Sequence, residues 1–177
     1  MSFFTPLSLV ACATCCLLAA APAVAAAPPE VEKTTTAFLG KWTAEATLTV
    51  GDAAPEKFPV ALDCRSIAKG AGTSCDMSGT SSLGPWEATC LVGFDPVGST
   101  GVHFMCVTTD GEVHDHRGRW TDATHLKFER LSWSGGPGGP GWEDLSCAWP
   151  TPRTMTWSSV MGMPDGTRVT FELEARK

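Results

Sequence analysis

The sequence lacks the short motifs that identify many enzyme families. It has no Gly-x-Ser-x-Gly nucleophile elbow, no His-Glu-x-x-His zinc motif, no phosphate-binding loop, and no dinucleotide-binding glycine motif set between a strand and a helix. We therefore predict that the protein is not an enzyme, that it has no catalytic residues and that it needs no cofactor.

Long amphipathic helices are also absent. No segment holds a helical period over three turns, apart from a short lead-in over 31–39. Parallel strands need crossover connections of a dozen or more residues, usually helical. The chain leaves no room for such connections, so a parallel sheet is excluded.

Positive charge is scarce. The chain has 13 Lys and Arg against 19 Asp and Glu, a formal net charge of −6. A mildly acidic surface argues against nucleic acid or an anionic membrane as a partner.

The first 27 residues contain no charged side chain and form an apolar, alanine-rich run. Such a run ending in small residues is typical of a secretory signal peptide. We predict cleavage after Ala27, with Ala25 nearly as favourable, then a linker over 28–37 and one domain over 38–177. The protein would then be periplasmic or extracellular, without a stable membrane anchor. An uncleaved anchor remains the alternative, because the run is long enough to cross a bilayer.

The rest of the chain consists of short strands separated by glycine, proline and Asp-Gly turns. In the first strand Trp42, Ala44, Ala46, Leu48 and Val50 alternate with polar residues. About ten such strands at regular spacing predict an all-β fold, an antiparallel up-and-down barrel. Two packed sheets would show the same alternation.

Five cysteines follow the predicted signal peptide: Cys64, Cys75, Cys90, Cys106 and Cys147. Disulfides are expected after export. A turn at Lys69-Gly70 sets Cys64 opposite Cys75, and the next hairpin sets Cys90 opposite Cys106. We predict these two disulfides with Cys147 free; Cys75 to Cys90 is the alternative pairing.

Two hairpins suggest a binding site. A two-residue turn at Asp110-Gly111 sets Phe104 opposite Arg117, and a turn at 122–123 sets Arg117 opposite Phe128. The predicted interior then includes charged and aromatic side chains that would hold a small hydrophobic or carboxylate-bearing ligand: Asp115, Arg117, Arg119, Arg130, Phe104 and Phe128. A one-residue slip would exchange these arginines for histidines on the same strand.

A metal site was weighed on the opposite face. His114 and His116 share one side of a strand, with His103 and Glu129 on neighbouring strands. In the predicted register this face is the outer one. A solvated polar face is then the simpler interpretation, and we predict no metal site.

Several short motifs resemble a family of exported bacterial domains of unknown function with lipocalin-like, or calycin-like, barrels. They are Leu39-Gly40-Lys41-Trp42, Gly93-Phe94-Asp95-Pro96, Gly118-Arg119-Trp120-Thr121-Asp122 and Arg168-Val169-Thr170-Phe171-Glu172. The resemblance covers roughly residues 38–174. It implies the barrel fold, and it carries no catalytic residues over to this chain.

Two functions fit such a barrel. One is a carrier that binds a small hydrophobic or amphipathic molecule inside; the other is a structural or interaction module whose interior is filled by its own side chains. The glycine- and proline-rich segment 134–141 would form a loop in either case. Small inward residues such as Ala88 and Ser159 leave room in the interior and favour the carrier.

Overall fold

The computed structural model describes residues 29–95, 101–109, 111–133 and 140–177. They form one antiparallel sheet in which most strands pair with the strands next to them in sequence, and the first and last strands pair to close it. The up-and-down barrel predicted from the sequence is confirmed. Its elements are α1 (Pro29–Phe38), β1 (Gly40–Val50), β2 (Glu56–Ile67), a 3₁₀ turn (Ala68–Gly70), β3 (Gly72–Ser81), β4 (Gly84–Asp95), β5 (Gly101–Thr108), β6 (Val113–Trp120), β7 (His125–Phe128), β8 (Leu131–Trp133), β9 (Gly141–Thr151), β10 (Thr154–Gly162) and β11 (Arg168–Arg176).

Two of these strands occupy one position in the barrel wall. β7 pairs with β9 near Cys147, and β8 pairs with the same strand nearer its start, at Trp142. The extended segment 125–133 is therefore interrupted at 129–130. Counting β7 and β8 together, the barrel wall has ten strand positions, as the sequence predicts.

The first helix closes one end of the barrel. Phe38 is 1% exposed, and its ring contacts Trp149 edge-on with centroids 5.0 Å apart. The indole of Trp42 donates to the carbonyl of Phe38 at 2.8 Å, and that of Trp120 donates to Thr34 Oγ1 at 2.9 Å. The described part of the predicted 28–37 linker is thus a packed helix, which we call the plug.

Both predicted disulfides are present. Cys64 bonds Cys75 and Cys90 bonds Cys106, while Cys147 is free and buried. Cys75 also lies directly opposite Cys90 in the sheet, so the alternative pairing has the right register but is not formed. Burial raises the pKa of the Cys147 thiol, which makes it a poor nucleophile.

The register between β5 and β6 differs by one residue from the prediction. Phe104 lies opposite His116, and His103 opposite Arg117. The loop is one residue longer than the predicted two-residue turn, since the Thr108 amide donates to the carbonyl of Glu112 while the Thr109 amide donates to the carbonyl of Glu87 on β4. Gly111 has a φ of +83°, as three-residue hairpins require at their last position.

A second one-residue shift lies between β6 and β7. The Asp122 carboxylate accepts the backbone N–H groups of Thr124 and His125 at 2.7 and 2.9 Å. This asx-type turn lengthens the loop to 122–124 and sets Gly118 opposite Phe128. The second shift compensates for the first, so Phe104 on β5 and Phe128 on β7 face inward as predicted. Only on β6 do the side chains exchange their inward and outward positions.

Reversal of β6 removes the predicted arginine site. Asp115, Arg117 and Arg119 lie on the outer face and are exposed, and Asp115 contacts His103. Arg130 is also outside, where its Nε donates to Asp144 at 2.9 Å. The predicted interior position of Asp115, Arg117, Arg119 and Arg130 is therefore wrong. Burying three charges from one strand would cost far more than burying histidine and glycine.

The predicted signal peptide lies outside the described residues, and so does most of the 134–141 loop. Among the described residues, no helix has the length and hydropathy to cross a membrane.

The plug can be tested by truncating its anchor. We expect Phe38→Ala to lower the free energy of unfolding by about 3–5 kcal/mol, as for other buried phenylalanines. Leu83→Ala is the control, because Leu83 is 81% exposed and its truncation should change stability by no more than about 0.5 kcal/mol. Urea denaturation followed by tryptophan fluorescence measures both. Equal stability of the two variants would contradict a packed plug.

Candidate functional site

A cavity of about 540 Å³ occupies the half of the barrel opposite the plug. Aliphatic and aromatic side chains from several strands form most of its wall, among them Phe58, Met77, Trp86, Leu145 and Phe171. Leu83, at the tip of the β3–β4 hairpin, is exposed at the rim. The barrel is therefore filled at one end and hollow at the other.

Phe104 lies where the filled half meets the cavity. Its ring packs against Phe38 of the plug, with centroids 6.2 Å apart, and against Trp157 at 5.0 Å. Both Phe104 and Trp157 line the cavity. Phe128 packs behind Phe104 at 5.6 Å. Phe104 is thus part of the cavity floor, and Phe128 supports it.

One wall of the cavity carries a polar cluster of His114, His116, Glu143 and Ser159, which we call the His–Glu cluster. Glu143 Oε2 lies 2.8 Å from His114 Nδ1 and 3.1 Å from His116 Nε2. The Ser159 hydroxyl donates to the other carboxylate oxygen at 2.5 Å. All four residues line the cavity, and the cluster is its main polar feature.

Glu143 is ionised although it is 6% exposed. Burial alone would raise its pKa, but hydrogen bonds from His114, His116 and Ser159 outweigh that effect and lower the pKa to about 2. The Glu143 carboxylate in turn raises the pKa of His114, against the opposing effect of burial. The cluster therefore holds a buried negative charge beside an imidazole that favours protonation.

The network leaves one polar atom unsatisfied. His116 is 2% exposed, and its Nδ1 has no hydrogen-bond partner in the part of the chain that the structure describes. Buried polar atoms are nearly always paired. The cluster is thus a polar network that the fold itself does not complete.

Alternation along the strands could have located this cluster. On β6 the inward residues are His114, His116, Gly118 and Trp120. Gly118 leaves space for Phe128, because an added Cβ would lie 2.6 Å from that ring. On β9, Glu143 precedes Leu145, Cys147 and Trp149 on the buried face. A single carboxylate on an otherwise apolar face was the signal that sequence reasoning missed.

The structure does not bring together the four side chains that were considered as metal ligands. His114 and His116 lie inside, whereas Glu129 is exposed and His103 is on the outer face with Asp115. The carboxylate that joins the two inner histidines is Glu143, contributed by β9, more than 25 residues further along the chain.

No arginine or lysine belongs to the described cavity lining. Glu143 and Glu112 both contribute to it. The field inside is consequently negative or neutral, and the predicted guanidinium anchor for a carboxylate has no counterpart there.

Comparison with solved structures supports the barrel fold. An S-type phycobiliprotein lyase from Guillardia theta superposes with a TM-score of 0.56 at 9% sequence identity, covering 81% of this chain and 89% of that one. At this identity the likeness concerns the fold alone.

Two further barrels are less similar. A redesigned β-barrel has a TM-score of 0.40 at 12% identity, covering 82% of this chain and 96% of that one. A protein of unknown function from the DUF3598 family of Nostoc punctiforme PCC 73102 has a TM-score of 0.43 at 11% identity, covering 80% and 48%. No protein-family model and no curated protein matches this chain.

Removing the central charge tests the cluster. We expect Glu143→Gln to lower the free energy of unfolding by about 3–5 kcal/mol in EDTA-treated protein, as for other broken buried ion pairs. The matched control is Glu129→Gln on the exposed loop, which should leave stability within about 0.5 kcal/mol. Urea denaturation at several pH values measures both.

The pH dependence of that difference has a definite sign. The pKa of Glu143 falls on folding from 4.5 to about 2, so its stabilisation is complete above pH 4.5 and is lost as pH falls through 2. The pKa of His114 rises on folding from 6.5, so its share is complete below pH 6.5 and is lost at higher pH. A difference that grows as the pH approaches 2 would contradict the cluster.

Proposed function

We propose that the protein is an exported carrier that holds a small hydrophobic or amphipathic molecule in the hollow half of its barrel. The observation that carries this proposal is the apolar cavity of about 540 Å³. Small-molecule sites typically have volumes of about 300–1,000 Å³, with mostly apolar walls and a few placed polar groups. The His–Glu cluster supplies such polar groups.

The filled-barrel alternative is less well supported. It requires aromatic side chains to occupy the whole interior, but these fill the half that contains Phe38, Trp42 and Trp149. The other half of the interior is bounded by Phe104 and contains the cavity. A protein that acted through its outer surface alone would gain stability by filling that space.

The cluster favours a particular polar end on the ligand. An ionised Glu143 accepts hydrogen bonds and repels a carboxylate, and the described lining offers no guanidinium to offset that repulsion. A neutral or cationic polar group, such as a hydroxyl, amide or amine, fits better. This replaces the carboxylate-bearing ligand that the predicted arginine anchor implied.

Export agrees with the cysteine chemistry. Two disulfides join neighbouring strands, and structural disulfides form and persist in oxidising compartments. Together with the alanine-rich N-terminal run, they support a periplasmic or extracellular location for the proposed carrier.

Filling the cavity tests this function. Ala88 is buried on the cavity wall, and Ala88→Phe would place a ring in the space. We expect its affinity for Nile red, a neutral apolar probe, to fall by about tenfold or more, about 1.4 kcal/mol, because the ring occupies space that the probe needs. Ala61→Phe, the same change on the exposed face of β2, should bind like the wild type.

Fluorescence titration gives both affinities, and thermal melting establishes that both variants are folded. Arg117→Ala and Arg119→Ala should also retain probe affinity, because these side chains are exposed on the outer face. No probe uptake by the wild type, or equal uptake by folded Ala88→Phe, would contradict the carrier.

A further inference from the structure

Three side chains of the His–Glu cluster match the donor set of a metal centre. Two imidazoles and one carboxylate are the protein ligands of several zinc enzymes and of non-haem iron sites. His114, His116 and Glu143 each offer one ligand atom, and these atoms lie within 4.8 Å of one another. We propose that they bind a divalent transition-metal ion, with Zn²⁺ as the reference ion.

The separations are close to those on a shared ion. Ligand atoms bound at about 2.0–2.2 Å lie roughly 3.0–3.5 Å apart across a coordination edge. Glu143 Oε2 is 2.8 Å from one histidine nitrogen and 3.1 Å from the other. Small side-chain rotations within the cavity would open these contacts enough to admit the ion.

The barrel fixes the three donors in place. His114 and His116 are two residues apart on β6 and therefore share a face, while Glu143 projects from β9 across the position of β7 and β8. Ser159 on β10 donates to the carboxylate oxygen that the histidines do not share. Such an outer hydrogen bond orients a metal-binding carboxylate and leaves its other oxygen for the ion.

The unsatisfied ring nitrogen of His116 is a second observation, independent of the distances between the three donors. His116 is almost fully buried, lies on the cavity wall and carries a ring nitrogen that the fold does not satisfy. A buried polar network that is only partly satisfied is less favourable than an apolar core. An ion bound to His116 Nε2, the atom that faces Glu143, would not itself satisfy Nδ1. The unsatisfied atom shows instead that packing does not account for a buried imidazole where Leu or Phe would fit.

Charge and access agree with a cation. Glu143 and Glu112 are acidic, and no lysine or arginine is found in the cavity lining over the described ranges. Because three protein ligands leave at least one coordination position unfilled, that position would face the cavity. Metal binding does not depend on the carrier proposal, since the ion needs the three side chains and not the apolar walls.

The test uses the protein purified after export, so that the predicted signal peptide with Cys12, Cys15 and Cys16 is absent. The protein is treated with EDTA and transferred to metal-free buffer. Zn²⁺ affinity is measured by competition with a chromophoric chelator, and Co²⁺ is added separately as a spectroscopic probe. We expect one equivalent of Zn²⁺ per chain and visible absorption bands from Co²⁺ coordinated by nitrogen and oxygen. Less than half an equivalent at saturation would overturn the proposal.

Variants assign the ligands. His116→Ala and Glu143→Gln should each weaken Zn²⁺ binding by about 100-fold or more. Losing a residue that only hydrogen-bonds to a ligand costs at most about 100-fold, so a larger loss indicates a direct ligand. His103→Ala and Glu129→Gln, on the outer face, should bind Zn²⁺ like the wild type. Unchanged binding in His116→Ala, or loss of binding in His103→Ala, would overturn the assignment.

His114→Ala keeps the test decisive if the buried variants do not fold, because the His114 side chain is only partly buried, with 18% exposure. It should fold and should also lose the Co²⁺ bands; retention of those bands would overturn the proposal. Nile red uptake is measured on the same samples. Zn²⁺ binding without Nile red uptake would remove the carrier and keep the metal site, and the reverse result would do the opposite.

Discussion

The interior of the barrel depends on one buried carboxylate. Glu143 lies on a strand face that is otherwise apolar, where an unpaired charge would be very costly. Its partners come from β6 and β10, as two imidazoles and one hydroxyl. The observed register of β6 turns His114 and His116 toward the interior, where they pair with this carboxylate. The opposite register would bury Asp115, Arg117 and Arg119 instead.

The same barrel contains two kinds of interior. Near the plug, Phe38, Trp42 and Trp149 fill the space with aromatic rings. Beyond Phe104 the side chains leave a cavity of about 540 Å³. In the proposed carrier, stability and binding belong to opposite ends of one sheet, so the hollow end could hold a ligand without weakening the packed end.

Much of the fold could be predicted from the sequence because it follows from local alternation. The strands, their antiparallel order and the pairing of Cys90 with Cys106 depend on period-two patterns and short turns. The orientation of β6 could not be obtained in this way. It depends on the bond between Thr109 and Glu87, which lie more than 20 residues apart, and on the asx turn at Asp122.

The site was harder to predict than the fold for a related reason. A one-residue change of register moves every side chain of a strand to the other face. Because the loops before and after β6 are each one residue longer than predicted, histidines occupy the interior positions that the prediction gave to arginines. The partner of those histidines is on β9, far along the chain. The cost of burying Asp115 with two arginines was nevertheless readable in the sequence, and it favours the observed orientation.

Chemical labelling with peptide mapping distinguishes the two possible orientations of β6. Folded protein is treated with diethyl pyrocarbonate for histidine and with phenylglyoxal for arginine. We expect His116 to be protected until the protein is unfolded, while His125 and Arg119, which are exposed, react in the folded state. Rapid labelling of His116 together with protection of Arg119 would show that β6 faces the other way, and the His–Glu cluster would not exist.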